Sequence, residues 1–410
     1  MSPLHGSAID GKKLVVLTGP SGVELEHLAE YMASSSKSKV RVLKYENYLE
    51  EVSGGIGGII GVLVNALQPR HDQFSKFFEA AEHLVEDAKN TNADVIALVA
   101  HSYYYRSHHL IPNPGLERIL RLWRPRALVV AIDDYYHGLD RIARRVEEKK
   151  TPPLSDILDP NDYLTWRALT IFHSLVLGRL FNSQVIVLAL KHRRLNVRRL
   201  SRLLFDDAPM KTFYLSHHIT IPRKEASAEG IPLREHWLVR EIEDLKTELL
   251  QSCKNLILYE PTAIDELIPG DDFPISRIVD QDNRWPHYDT PDYASFNYPL
   301  DIEEDILGKL TSLKLNKEYA EYLANRIKAQ IPPRDLKMIE QSQGVIAYKP
   351  VYEGKTSEGM SAEIPFAVAN DKTVIIYGAK EKGINELGLF KQSLSIVYED
   401  VDHLKTALGC

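Results

Sequence analysis

The sequence predicts an α/β protein of two domains, each a parallel sheet between two layers of helix, and three observations carry that reading. The chain has 410 residues, long for one hydrophobic core. Short apolar runs without polar alternation recur along it, the mark of strands buried on both faces, and helix-length segments separate them. One stretch, Gly344–Tyr377, holds a complete strand, loop, helix and strand.

Lys13–Thr18 (KLVVLT) is the first apolar run, followed by Gly19-Pro20-Ser21-Gly22-Val23 and a helical pattern over Glu24–Met32. Further strands are expected at Val40–Leu43, Asp94–Ala100, Ala127–Ile132 and Gln184–Leu190. The Gly54–Gly58 cluster suits a turn or close packing. His101, His108 and His109, with Tyr103 to Tyr105, suggest a solvated loop in preference to a ligand lip or metal site, and the basic run Lys191–Arg202 a solvated helix face in preference to a phosphate-binding lid. Phe205–Pro209 (FDDAP) marks a junction, giving domains of residues 1–207 and 208–410.

The second domain begins with its own strand, Lys211–Ile221 (KTFYLSHHITI), opening with Thr212–Ser216 and running on through His217-His218 to Pro222-Arg223. Arg234–Ser252 has helical periodicity through Trp237, Leu238, Ile242, Leu245 and Leu249. Asn255–Tyr259 is a second strand. An insertion at about 270–330 begins with the loop Gly270–Pro299, where Trp285, Tyr288, Tyr293 and Tyr298 suit a pocket cap, and runs into a helix over Ile302–Ile331. Asp335–Gln341 reads as a separate short helix. Then come the strand Val345–Tyr348, a polar loop, the helix Gly359–Ala369 and the strand Thr373–Tyr377.

An apolar share of 44% and a charged share of 26% are those of an ordinary soluble globular protein. A net charge of −7 makes no electrostatic case for nucleic acid or a membrane surface. The chain shows neither a signal-peptide core nor an 18-residue apolar stretch. Two cysteines, Cys253 and Cys410, are too few for a disulfide framework or a zinc site. The expectation is a cytoplasmic protein with reduced thiols, without a cofactor or metal.

Chemistry-bearing residues collect where open α/β sheets bind ligands, at the carboxyl ends of their strands. In the first domain, Gly19 to Glu26 occupies the place of a phosphate-binding loop, G-x-x-x-x-G-K-[ST]. The register puts Glu24 at the second glycine, Leu25 at the lysine and Glu26 at the hydroxyl. This half resembles a P-loop nucleotide kinase in its T-G-P-S-G opening, which includes Gly19, Ser21 and Gly22. Two carboxylates in place of the phosphate ligands would repel phosphates by several kcal/mol if desolvated, which argues against phosphoryl transfer. Ala127–Asp134 (ALVVAIDD) has the shape of a Walker B strand. Its Asp133 and Asp134 either keep a trace of magnesium binding or pair with Arg141, Arg144 or Arg145.

In the second domain, three pieces converge: Tyr214-Leu215-Ser216 at a strand end, Asp335-Leu336-Lys337-Met338-Ile339, and Ser357-Glu358-Gly359-Met360-Ser361-Ala362-Glu363. Roughly residues 211–380 thereby resemble the nucleoside 2-deoxyribosyltransferase superfamily, which includes 2′-deoxynucleoside 5′-phosphate N-hydrolases. That superfamily carries Y-[LF]-[AC], D-L-x-x-[IL] and S-x-G-V-x-x-E or D-S-G-T-A-x-E in the same order. The resemblance implies a flavodoxin-like or Rossmann-like sandwich behind the P-loop-like sheet. It also implies cleavage of an N-glycosidic bond in a nucleoside or nucleotide, and a homo-oligomer. Glu363 would be the nucleophile at the oxocarbenium-like centre. Asp335 would orient the sugar or move a proton, and Tyr214 would hold Glu363 ionised. Ser357, Gly359, Ser216 and Arg223 would bind substrate or its phosphate. The His-rich loop at His217-His218 departs from the superfamily's glycine-rich one, which leaves Arg223 less securely placed. A nucleotide-sensing scaffold without turnover is the alternative, and a noncanonical nucleotide kinase a more remote one.

Overall fold

The unalternating apolar runs become the strands of two parallel sheets. The computed structural model describes residues 11–67, 74–106, 108–135, 137–139, 141–142, 159–190, 194–264, 317–352, 354–378, 396–398 and 400–410. They fall into two compact units, residues 11–190 with 201–208, and residues 194–200 with 209–410.

In the first unit the strands are β1 (Lys13–Thr18), β2 (Val40–Lys44), β3 (Val95–Val99), β4 (Tyr103–Arg106), β5 (His109–Pro112), β6 (Ala127–Ile132) and β7 (Gln184–Ala189). The main sheet has the order β2-β3-β1-β6-β7, parallel throughout. Every residue of β3 and β6 is buried, as the unbroken apolar runs require. Helices Leu25–Ser34, Ser75–Asn90, Pro114–Leu122 and Pro160–Leu180 are among those connecting the strands. The Tyr103–Tyr105 segment is not a solvated loop: β4 and β5 form an antiparallel hairpin that buries Tyr104 and Tyr105. Asn113 ties the hairpin down by donating to His101 O and Tyr104 Oη, at 2.9 and 3.1 Å.

In the second unit the strands are β8 (Lys211–Ser216), β9 (Leu256–Tyr259), β10 (Gly344–Tyr348), β11 (Val351–Tyr352), β12 (Lys355–Thr356), β13 (Thr373–Tyr377) and β14 (Ile396–Tyr398). The sheet order is β14-β13-β10-β8-β9, again parallel, with β11 and β12 a small hairpin after β10. Strand parity divides the sheet. Phe213, Leu215, Ile346 and Ile375 enter one apolar cluster with Leu238, Ile242 and Leu249 of the helix Trp237–Ser252. Their neighbours in sequence point to the opposite face.

Four expectations change here. The first strand stops at Ser216, and Thr220–Glu229 is helical, with Pro222 in its first turn, where a missing N–H costs nothing. Lys317–Glu340 is one helix rather than two, with Pro332 and Pro333 inside it. Both prolines are exposed, as are Lys328 and Ala329, whose carbonyls lose their helical donors on the solvent side. The basic run is not simply a solvated face: in the helix Arg194–Phe205, Arg199 is buried and donates to Leu256 O at 2.6 Å, and Asn196 exchanges two hydrogen bonds with the backbone of Leu258. The thiols are not reduced either, since Cys253 and Cys410 form a disulfide. Leu404 and Leu408 of the helix Val401–Leu408 share the apolar cluster with Leu249 and Leu250, which brings the two cysteines side by side. The insertion loop Gly270–Pro299 and its aromatics lie outside the described residues, as does 302–316. Among the described residues no single helix is long and apolar enough to cross a membrane, although one bent pair, Tyr45–Ser53 with Gly57–Ala66, passes by length and composition together.

Because the disulfide closes a segment of 157 residues, reduction is expected to destabilise the second unit by roughly 2–5 kcal/mol. Thermal unfolding with and without a reductant, beside Cys253→Ser, measures it; an unchanged midpoint would contradict the bond's contribution.

Candidate functional site

Tyr214 and Ser216 stand two residues apart at the carboxyl end of β8, so they share the face opposite Phe213 and Leu215. Both reach one carboxylate. Tyr214 Oη donates to Glu363 Oε1 at 2.9 Å, and Ser216 Oγ donates to Glu363 Oε2. Glu363 lies in the second turn of the helix Glu358–Ala369 and is 7% exposed. That helix starts at Ser357, whose hydroxyl accepts from Met360 N at 3.1 Å as its N-cap. Gly359 follows in the first turn, and a Cβ there would lie 3.7 Å from Glu363 Oε1. A methyl group there would make only an ordinary van der Waals contact with that oxygen.

Asp335 arrives from the helix Lys317–Glu340, buried beside Arg334. Arg334 Nε donates to Asp335 Oδ1 at 2.9 Å, while its Nη1 and Nη2 donate to Ile264 O and Pro261 O at 3.3 and 3.2 Å. Burial, then the Asp335 charge, pushes the Glu363 carboxyl up to about 7, against the lowering influence of the Ser216 and Tyr214 hydroxyls. Asp335 is also raised by burial, with Arg334 opposing the rise. Burial and both carboxylates raise Tyr214 well above its ordinary value, so it stays a donor.

The structure thus brings Tyr214, Ser216, Asp335 and Glu363 together. Ser216 is a carboxylate partner here, and Ser357 a helix cap. Arg223, expected as a phosphate clamp, sits in the first turn of the helix Thr220–Glu229. His217 and His218 are buried. Burial and then the Lys246 ammonium push His217 down to about 3, which leaves it neutral at working pH. His218 Nε2 donates to Lys349 O at 2.9 Å. Lys349, at φ +44°, turns the chain out of β10 into the β11–β12 hairpin. That loop is packed by rings: Tyr352 lies 6.0 Å from His218 and 5.7 Å from Trp237. Neither the Arg334 anchor nor the His218 clamp was assigned from sequence, where only the pairs Arg334-Asp335 and His217-His218 are visible.

In the first unit, Gly19 O accepts from His101 Nδ1 at 2.8 Å, and Gly22 O accepts from Arg141 Nη1 at 2.9 Å. A phosphate loop aims N–H groups at its ligand; here two loop carbonyls are engaged by side-chain donors. Gly22, at φ +84°, lets the backbone approach Gly138, whose carbonyl oxygen would lie 2.3 Å from a Cβ. Ser21 is half-buried at the loop's bend. Arg141 Nη1 also pairs with Asp133 Oδ2 at 2.6 Å. Ligand atoms of Asp133, Asp134 and His137 lie within 4.8 Å of one another, a donor set that suits a divalent cation in number, with the Arg141 guanidinium already on Asp133.

No known family profile matches the chain, and no curated protein sequence does. Among solved structures, the chain is similar to an unliganded sugar kinase from Janibacter sp. HTCC2649, at 12% identity over 48% of this chain and 96% of that one. The TM-score is 0.28, too low to bear on function.

The Glu363 environment has a stability consequence. The folded carboxyl holds its proton to about pH 7, whereas an unfolded one releases it near 4.5. Stability from this group is therefore full below pH 4.5 and is lost as pH rises through 7, by about 3 kcal/mol. Glu363→Gln, which keeps the size and loses the titration, should gain stability over wild type at pH 8 relative to pH 4. Denaturant unfolding at both pH values checks this; equal differences would rule it out.

Proposed function

We propose that the second unit cleaves the N-glycosidic bond of a nucleoside or nucleotide, by hydrolysis or by transfer to an acceptor base, with Glu363 as nucleophile. The observation that carries this reading is a buried carboxylate held by a hydroxyl on each of its oxygens. An oxygen of ionised Glu363 bonds to the anomeric carbon as the carbon–nitrogen bond breaks. The base departs with that electron pair and takes a proton from solvent water. Water or a second base then attacks the same carbon and returns the carboxylate. Asp335, anionic beside Arg334, accepts a sugar hydroxyl and stabilises positive charge at the ring. Tyr214 and Ser216 aim Glu363 and give up none of their own protons. The superfamily resemblance over residues 211–380 points the same way. The donors engaged on the Gly19–Val23 loop argue against phosphoryl transfer in the first unit.

Base release from a panel of nucleosides and 5′-nucleotides should fall at least about a thousandfold in Glu363→Ala. Tyr214→Phe should cost about tenfold to a hundredfold, the worth of a hydrogen bond to a charged group. No release from any panel member, with tight nucleotide binding by folded wild type and variant alike, would replace this reading by a sensor without turnover.

Because the nucleophile must be ionised, kcat should rise with pH through about 7 and then level off. A flat profile between pH 5 and 9 would show that Glu363 does not titrate in turnover.

A further inference from the structure

Two carboxylates share this buried site, and their surroundings differ in one respect. Glu363 is held by hydroxyls, from Tyr214 and Ser216. Asp335 has a guanidinium. A guanidinium stays charged at any working pH, and this one is pinned by backbone: Pro261 O and Ile264 O, just beyond β9, take its two terminal nitrogens and leave Nε for Asp335. Carbonyl anchors neither titrate nor follow a ligand, so the cation's place is set by the strand that carries it. Two carboxyls whose charges act on each other in a desolvated site do not both ionise readily, and the one beside a fixed cation does so first.

We infer that Arg334 is a positioning residue of the site: it holds Asp335 as the fixed anion of the carboxylate pair and leaves Glu363 as the member that exchanges the proton. The inference deepens the glycosidase reading and rests on it for its meaning in turnover, but not for its test. The charged and titratable groups that act on Glu363 are Asp335, Tyr214 and Arg334, together with the Ser216 hydroxyl. Among them the Asp335 charge raises Glu363 more than Arg334 lowers it. Removing Arg334 therefore has an effect opposite in sign to simple loss of a cation. Without its partner, Asp335 takes up a proton at neutral pH, its charge no longer opposes ionisation next door, and Glu363 titrates lower.

The experiment follows the Glu363 side-chain carboxyl by carbon NMR in the full-length chain labelled in glutamate, with the signal assigned by its loss in Glu363→Gln. It needs no substrate, so a failed glycosidase reading and a failed inference are separable. Asp335→Asn and Arg334→Met should each lower the Glu363 midpoint by about one pH unit or more. Arg334→Met added to Asp335→Asn should lower it no further. If Arg334→Met does not fold, Arg334→Gln, which keeps donors for the two carbonyls, takes its place. A midpoint that rises or stays put in the folded Arg334 variant would overturn the inference, as would an unchanged midpoint in Asp335→Asn. In the activity assay, the rising limb of the pH profile should move down with the midpoint. A merely structural role for Arg334 would lower kcat and leave that limb where it was.

Discussion

The second unit is built around the grip of two β8 hydroxyls on the Glu363 carboxylate. Burying a carboxyl is costly unless its oxygens find donors, and Tyr214 and Ser216 supply one each. They can do so because strand side chains repeat every second residue, which puts both on one face while Phe213 and Leu215 fill the core on the other. A one-residue slip of β8 against β10 would exchange the two sets. The parallel register, with Ala347 opposite Ser216 and Ile346 opposite Leu215, is therefore as much a condition of the site as the side chains are.

The rest of the unit holds that register. The helix Glu358–Ala369, which crosses from β10 to β13, packs on those two strands, and its Glu363 side chain reaches the hydroxyls at the carboxyl end of β8. Ser357 fixes where the helix begins and therefore which residue of its second turn meets Tyr214. The Lys349 turn, clamped through its carbonyl by His218, sets the path into that start. Asp335 enters from the helix that precedes β10, and its arginine neighbour is tied to the end of β9. β8 and the helices before and after β10 thus place Tyr214, Ser216, Asp335 and Glu363.

Much of this was legible in the sequence, and the reasons are local. Strands buried on both faces announce themselves as unbroken apolar runs, and β1, β6, β10 and β13 stand at or within a residue of where those runs lie. The spacing of Ser357, Gly359 and Glu363 describes a cap, a bare turn and a carboxylate one turn on, which any helix start would arrange in the same way. What stayed hidden depends on groups the sequence does not display. Arg334 beside Asp335 looks like an ordinary helical pair until the Pro261 and Ile264 carbonyls are seen to fix it. Pro332-Pro333 reads as a helix break, yet both residues fall on a solvent-facing stripe where a long helix tolerates the lost donors. Arg199 sits in a basic run that suggests a solvated surface, and packing turns it inward to two backbone carbonyls. The disulfide was missed because two cysteines far apart in sequence carry no signal until the last helix packs beside Leu249 and Leu250.

The two units treat a buried carboxylate near the carboxyl edge of their sheets in opposite ways, and the contrast bears on where chemistry can occur. Asp133 meets the Arg141 guanidinium at 2.6 Å, and the same nitrogen bonds Gly22 O. Ion pair and loop are thereby locked into one arrangement, and attack by that oxygen would strand a buried cation, at a cost of several kcal/mol. Among the described residues Glu363 has no such cation hydrogen-bonded to it. Its donors are neutral hydroxyls that keep their bonds whether the carboxyl is protonated, ionised or esterified to a sugar, since each of those states leaves an oxygen able to accept. A nucleophile of the kind proposed would pass through all three states in one turnover, and it needs surroundings that commit to none of them. Tyr214 and Ser216 provide this at Glu363, while the guanidinium that would have prevented it is held one residue pair away, on Asp335.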